Sequence, residues 1–267
     1  KIASSVMPVE NVIKILDEVK DYKPAFSPSF YTEPLIVRDF KEILVAAKER
    51  EVPVSFCTNG LLITESMAEF LIDHMSVISV SIDATTKETL IKTRATSRLE
   101  RIKEAVFFLL EKRGSKPSPR VGVNFTVEED NVHEKDEFVQ FWIQYVDFVR
   151  VNEMFTYEHT INNVTVTRER IPCREIYDQM IVDFNGDVRM CCLDGLRETN
   201  LGNVFDEGVY NVWHGEALTA LRTHHEENNY AAEPFCQNCT VWAGFNITEE
   251  REQGNLLIRS SDSISYY

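Results

Sequence analysis

Six cysteines occur in the 267 residues, and five of them fall after residue 172. Cys236 and Cys239 form a Cys-x-x-Cys, a spacing that lets two thiolates from one tight turn reach one metal centre. Cys173 precedes an Asn185-Gly186 hairpin signal, and Cys191 ends the strand that follows it. The hairpin and the residue before it can thus supply two more thiolates. A four-thiolate shell suits zinc or an iron–sulfur cluster, since both take soft sulfur ligands. Buried thiols acting as small hydrophobes are the plain alternative. Spacing alone leaves all three open. Disulfides fit less well, because the chain is large and shows no secretory signal, and clustered cysteines in an intracellular protein more often bind metal or do redox chemistry.

Charge narrows the partners. The chain carries 28 basic and 43 acidic residues, a net of −15. Residues 151–267 hold 8 basic and 19 acidic side chains, and the last lysine is Lys135. Such a surface repels nucleic acid and anionic membranes, so neither is expected as a partner. No apolar run approaches the roughly 20 residues of a membrane span. With 43% hydrophobic and 27% charged residues, the balance is that of a globular protein able to bury a sizeable core. A cytoplasmic setting is the expectation.

The elements that must position these residues read as an alternation. Helices are predicted over Pro8–Tyr22, Asp39–Glu51, from Thr64 onward, Arg98–Lys112 and Val132–Tyr145, from apolar residues at helical spacing. Strands are predicted over Ala25–Tyr31, Val52–Cys57, Val77–Ile82, Arg120–Val127 and Val146–Asn152. Repeated β-α alternation argues for a parallel sheet covered by helices, with ligands beyond the C-terminal ends of the strands. Those ends are polar: Thr32-Glu33-Pro34, Thr58-Asn59-Gly60, Ser81-Ile82-Asp83, Thr126 and Asn152-Glu153. The pattern changes after residue 155. Met180–Phe184 and Asp187–Cys191 flank Asn185-Gly186, where a two-residue turn would need φ > 0 at both positions. Val209–Glu227 reads as a helix and Ser260–Tyr267 as a tail. The aromatic groups Phe138-Phe141-Trp142-Tyr145 and Phe107-Phe108 read as helix packing.

Taken in order, these motifs resemble those of radical S-adenosylmethionine (SAM) enzymes with a C-terminal SPASM/twitch domain. The family's Gly-Gly-Glu-Pro stands here as Tyr31-Thr32-Glu33-Pro34, while Thr58-Asn59-Gly60 and Ser81-Ile82-Asp83 are intact and Arg94 follows. The pattern Cys-x9–15-Gly-x4-Cys is met by Cys173, Gly186 and Cys191, and Leu201-Gly202-Asn203-Val204, Val212-Trp213 and Cys236-x-x-Cys239 complete it. The resemblance implies an α/β fold: a partial (β/α)6 TIM-like barrel lacking its first strand, over residues 1–155, then a small twitch domain with a β-hairpin and an iron–sulfur site, over 156–267.

It also implies roles. The backbone of Thr32 and Glu33 would bind the SAM amino group, Arg94 and Asn124 would sit near its carboxylate, and Ser81 and Asp83 near its ribose. Thr58 and Asn59 would lie beside the cofactor. Without the resemblance, strand-end residues of these types often only cap helices. A full SPASM domain carries further cysteines for a second auxiliary cluster. Position 245 here is Phe245 and no cysteine follows, so the shorter version is implied, with one auxiliary 4Fe–4S cluster on Cys173, Cys191, Cys236 and Cys239. The family's Cys-x3-Cys-x2-Cys loop, which holds a second, SAM-binding 4Fe–4S cluster, has no counterpart here: no cysteine precedes Cys57 and the chain opens at Lys1. That loop is expected upstream of the sequence.

The implied activity is hydrogen-atom abstraction by a 5′-deoxyadenosyl radical from a sugar, aminocyclitol or similar small polar metabolite, giving oxidation or epimerisation. An external one-electron donor such as flavodoxin or ferredoxin would be needed. Cys192, next to a cluster ligand, is a weak candidate for returning a hydrogen atom in an epimerase, and Cys57 is another spare thiol. A peptide-modifying maturase is the alternative within enzymes. A non-catalytic metal-binding scaffold is the alternative of another class.

Overall fold

The computed structural model describes residues 6–28, 32–154, 169–245, 249–253, 256–260 and 263–266. By contacts the chain divides into two compact units that interleave in sequence: Ala25–Met154 with Ile247–Tyr267, and Lys1–Pro24 with Phe155–Asn246.

The first unit is built on four parallel strands, β1 (Ser55–Thr58), β2 (Val77–Ser81), β3 (Arg120–Val127) and β4 (Phe148–Glu153), side by side in that order. Side chains alternate between the faces of a sheet. Phe56, Ile78, Val80, Val121, Val123, Phe125, Val149 and Val151 share one face, none more than 4% exposed. Helices α2 (Phe40–Glu49), α3 (Glu65–His74), α4 (Lys87–Arg94), α5 (Leu99–Arg113) and α6 (Lys135–Trp142) belong to this unit and bury Leu44, Leu71, Leu90, Leu109 and Phe138. Each such side chain contributes roughly 1.5–3 kcal/mol on burial, so this apolar layer carries the stability of the unit.

The other face is polar. The register sets Cys57 beside Ser79, Ser79 beside Gly122, Ser81 beside Asn124, and Asn124 beside Arg150. Toward the N-terminal ends of the strands this face is closed by Phe148, whose ring lies over Gly122; a Cβ there would be 2.3 Å from the ring.

Three expectations change here. Ala25–Tyr31 is reduced to a single parallel bridge between Phe26 and Val54, with residues 29–31 outside the described residues. Pro24 and Pro28 have no N–H to offer a ladder. Helix α4 has no counterpart among the predicted elements: its sequence is polar, and its start is capped by Thr86 and by the distant Glu134. The expected tail instead ends in β9 (Ser263–Tyr266), antiparallel to β4, followed outward by β8 (Leu256–Ser260) and β7 (Glu249–Gln253). The free edge of β4 offers unpaired backbone groups, and the alternating Ser263-Ile264-Ser265-Tyr266 suits that pairing. Of the aromatic group, Phe138 and Trp142 are buried, whereas Phe141 and Tyr145 are partly exposed and their rings meet at a tilt of 50°.

The second unit begins with α1 (Val9–Val19), which ends in a 3₁₀ turn over Lys20–Tyr22. Ile15 packs against Val188, Val204 and Val212, and the Glu18 carboxylate accepts the Val209 N–H at 2.7 Å. Next come α7 (Glu175–Asp178) and the hairpin of β5 (Ile181–Val182) and β6 (Val188–Arg189). The hairpin turn differs from expectation: only Gly186 has a positive φ, +90°. Its N–H bonds to Asp183 O at 2.9 Å, and Asp183 N–H to Asp187 O at 2.8 Å. This is a type I turn closed by a left-handed glycine, a longer loop that needs only one positive φ. The predicted Val209–Glu227 helix is divided at His214-Gly215 into α9 (Val209–Trp213) and α10 (Glu216–Glu226), preceded by the single turn α8 (Val204–Glu207). The last helix, α11 (Pro234–Gln237), starts on a proline whose missing N–H costs nothing there. Among the described residues no helix is long and apolar enough to cross a membrane.

Candidate cluster-binding and cofactor sites

The four cysteines singled out by spacing are brought together. Cys173 precedes α7, Cys191 follows β6, and Cys236 and Cys239 sit in and just after α11. All four border one recess, with Cys192, His225, Met190, Arg170 and Glu175 beside them. The recess holds about 420 Å³ free of protein atoms, part of it open to solvent.

The surrounding chain is braced to hold this arrangement. Arg170 donates to Cys236 O at 2.6 Å and to Gln237 O at 3.0 Å, and its guanidinium lies 3.7 Å from the centre of the Tyr230 ring. These bonds satisfy carbonyls at the end of a one-turn helix that has no further turn to do so. Asp194, almost fully buried, accepts the Glu198 N–H at 2.6 Å, the Thr199 N–H at 2.9 Å and the Thr199 hydroxyl at 2.5 Å. It thereby folds the loop that leaves Cys191 and Cys192. The Cys173 N–H donates to His225 Nδ1 at 3.2 Å.

Burial governs the thiols. It pushes Cys173 up to about 12, with the neighbouring Cys239 and Cys191 adding to the effect. Cys236 and Cys239 are raised by burial in the same way. Cys191 is lowered, chiefly by a hydrogen bond from Cys192, whose own thiol is raised by that bond. Four thiolates here would repel one another in a low dielectric without a cationic centre among them. Among the described residues no three His, Cys, Asp or Glu side chains converge as ligands of a single metal ion. The four thiols are the soft sulfur donor set that a zinc ion or an iron–sulfur cluster would take.

The residues expected to hold SAM lie in the other unit, Thr58, Asn59, Ser81 and Asp83 at the C-terminal ends of β1 and β2, Asn124 within β3, Arg94 at the end of α4, and Thr32 and Glu33 ahead of β1. Glu33 is the organiser of one group: its carboxylate accepts the Thr58 hydroxyl and the Asn59 N–H, each at 2.7 Å, and the Leu35 N–H at 3.3 Å. Thr32 precedes it in the chain. Asp83 organises a second group. It adopts φ +63° and is buried. Its carboxylate accepts from Arg94 at 2.7 Å and 2.6 Å and from the Thr126 N–H at 2.7 Å. Burial pushes its pKa up against the opposing pull of Arg94 and Thr126. Asn131 fixes this turn, donating to Asp83 O at 3.0 Å and Thr126 O at 2.8 Å.

Asn124 belongs to a third group, on the polar sheet face. Its Oδ1 accepts the Ser79 hydroxyl at 2.7 Å and its Nδ2 donates to Cys57 Sγ at 3.3 Å. Ser81 is its register partner on β2. Arg94 is thus paired with Asp83, and Asn124 with Ser79. Cys192 lies at the cysteine recess, and Cys57 on the sheet face. Sequence reading missed Glu134, Arg170, Glu175, His225 and Arg150. Only Arg150 had a usable signal, since strand alternation puts it in line with Asn152.

The fold and these sites define an α/β enzyme with a ligand-facing parallel sheet, joined to a cysteine-built iron–sulfur domain. The chain belongs to the radical SAM superfamily, whose model matches residues 2–141. The model of the SPASM iron-sulfur cluster-binding domain matches residues 173–240. Its cofactors are accordingly SAM and 4Fe–4S clusters. Enzymes of this superfamily act on small molecules or peptides and draw on an external electron donor. No curated protein matches the sequence. Among solved structures, BtrN in complex with AdoMet and 2-DOIA is 15% identical, with a TM-score of 0.56 over 90% of this chain and 82% of that one. Histidine-tagged anSMEcpe with bound AdoMet is 14% identical, with a TM-score of 0.63 over 90% of this chain and 78% of that one. Streptococcus suis SuiB bound to precursor peptide SuiA is 16% identical, with a TM-score of 0.57 over 81% of this chain and 60% of that one. At such identities the likeness is one of fold.

Proposed function

We propose that this chain is a radical SAM oxidoreductase or epimerase acting on a sugar, aminocyclitol or similar small polar metabolite. The observation that carries the reading is the polar sheet face: Ser55, Cys57, Ser79, Ser81, Asn124, Thr126, Arg150 and Asn152 line it through the register of β1 to β4. A face so rich in hydroxyl and amide groups suits a hydroxylated ligand, because a site built to pair polar groups rejects partners that lack them. The likeness to BtrN, whose complex contains 2-DOIA, supports the same class.

In this reading Thr32, Glu33, Thr58, Asn59, Ser81, Asp83, Arg94 and Asn124 hold the cofactor. Cys173, Cys191, Cys236 and Cys239 ligate one auxiliary cluster. When bound, SAM and its reducing cluster supply the capacity to remove a hydrogen atom from an unactivated carbon. The chain's own part is to orient and to exclude water. Glu33 fixes Thr58 and Asn59, Asp83 fixes Arg94, and Asn124 fixes Ser79 and Cys57. Of the two spare thiols, Cys57 lies on the proposed substrate face and Cys192 is engaged with Cys191 and Glu175. Cys57 is therefore the better candidate for returning a hydrogen atom if the outcome is epimerisation.

The test is 5′-deoxyadenosine formation by the anaerobic full-length enzyme with aminocyclitols, sugars or peptides. Turnover with polyols and none with peptides is expected, and turnover with peptides only would replace this reading by peptide modification. Uptake of solvent deuterium into product that is abolished in Cys57→Ala marks an epimerase, and a ketone product marks a dehydrogenase.

A further inference from the structure

Three residues bordering the recess hold a buried side-chain polar atom with no hydrogen-bond partner among the described residues: Arg170 Nε, Glu175 Oε2 and His225 Nε2, and the last of these can be assigned its proton from its neighbours. His225 on α10 is fully buried. Its Nδ1 faces the Cys173 N–H at 3.2 Å and must therefore be the acceptor. The neutral ring has one proton, so that proton sits on Nε2. Nε2 is buried and has no hydrogen-bond partner among the described residues. The ring itself borders the cysteine recess. Buried N–H groups are nearly always paired, and one left over at the wall of a cofactor site points to an acceptor supplied by the cofactor.

We propose that the His225 Nε2–H donates to a sulfur of the iron–sulfur cluster in this recess and thereby raises its reduction potential. The inference rests on the four-thiolate reading of Cys173, Cys191, Cys236 and Cys239. The same residue would then act at both ends: Nδ1 orients the backbone of one cluster ligand, and Nε2 meets the cluster. An N–H pointed at a cluster sulfur stabilises the more electron-rich state, so the donor favours reduction. Because the tautomer is set by a backbone N–H, the polarity of this contact is built into the fold. Tyr230 is the competing neighbour. Its ring stands perpendicular to the imidazole at 5.2 Å, and its face is an alternative target for the same N–H. In this role His225 is a positioning residue: it breaks no substrate bond.

Three variants separate the two ends of the ring. His225→Gln keeps a donor near the Nε2 position. His225→Asn keeps only an acceptor for the Cys173 N–H, and His225→Phe keeps neither. Iron and sulfide are counted first in the reconstituted full chain. The cluster whose electron-paramagnetic signal does not shift on adding SAM is then titrated. At fixed potential, Asn and Phe are expected to lower the reduced-to-oxidised ratio about tenfold, equivalent to about 59 mV for one electron. Gln is expected to stay near the parent value. Equal potentials in all three iron-replete variants overturn the proposal. Independently of any variant, the reduced parent protein labelled with ¹⁵N-histidine should show a nitrogen coupling and an exchangeable proton coupling to the cluster. Their absence overturns it and points the N–H at Tyr230. A parent protein without iron at these cysteines is a different failure, seen in the iron count, and overturns the thiolate reading together with this one.

Discussion

The Glu33 carboxylate and the Thr58 hydroxyl meet at 2.7 Å across 25 residues of sequence, and the same carboxylate takes the Asn59 N–H at 2.7 Å. One acidic side chain thus ties the residues before the first strand to the end of that strand. Glu33→Ala should unpair both donors and destabilise the protein by about 1–3 kcal/mol, read from denaturant melts. It should also weaken SAM binding by calorimetry. Glu33→Gln, which keeps an acceptor, should lose less. Unchanged SAM affinity in Glu33→Ala would remove this group from the cofactor site.

The cysteine recess should behave as one unit. Cys239→Ala is expected to lose about four irons per chain, since a cluster missing a ligand is poorly retained. Cys192→Ala should keep them. Metal analysis of anaerobically reconstituted protein decides this, and retention of full iron in Cys239→Ala would break the ligand set. Loss of iron should also lower the melting temperature of the unit, because it removes the cationic centre among thiols that burial raises and leaves Arg170 as the neighbouring positive charge.

Gly186 is a backbone requirement. Its φ is +90°, and a Cβ would lie 2.4 Å from the Phe205 ring and 2.6 Å from Asn203 Oδ1. Gly186→Ala should destabilise by about 1–3 kcal/mol, combining an unfavourable φ with displacement of the ring. Thermal melts together with iron content check it. The expected result is reduced cluster occupancy, since the hairpin leads directly into Cys191.

Glu134 supplies a pH dependence. Burial pushes its carboxyl up, but hydrogen bonds from the Thr86 and Thr89 hydroxyls and the Thr85 and Thr86 N–H groups outweigh this and bring it down to about 2. The folded pKa lies below the ordinary value of 4.5, so the stabilisation is complete above about 4.5 and is lost as the pH falls toward about 2. Glu134→Gln should destabilise by about 1–2 kcal/mol at pH 7 and flatten the acid limb between those values. Urea melts across pH 2–7 measure it. A parallel acid limb in the variant would show that another carboxylate is responsible.

Local periodicity determined much of this protein. The β-α alternation, the cap of α3 at Thr64, the polar strand ends and the four recess cysteines were all legible, because helical and strand spacing and Cys-x-x-Cys geometry are short-range properties. Tertiary structure decided what rests on distant partners. Ala25–Tyr31 has the composition of a strand, yet its prolines and the single Phe26–Val54 bridge leave it without a ladder. Ser263–Tyr266 reads as a tail until the edge of β4 offers it a pairing partner. Helix α4 depends on Glu134, 48 residues beyond Thr86. Arg94 is claimed by Asp83, and Asn124 by Ser79, which no spacing rule could assign. His225 shows the limit most plainly. In the sequence it is one histidine on an amphipathic helix. Only the fold places one ring nitrogen on the Cys173 N–H and leaves the other, buried and without a partner among the described residues, in the wall of the recess.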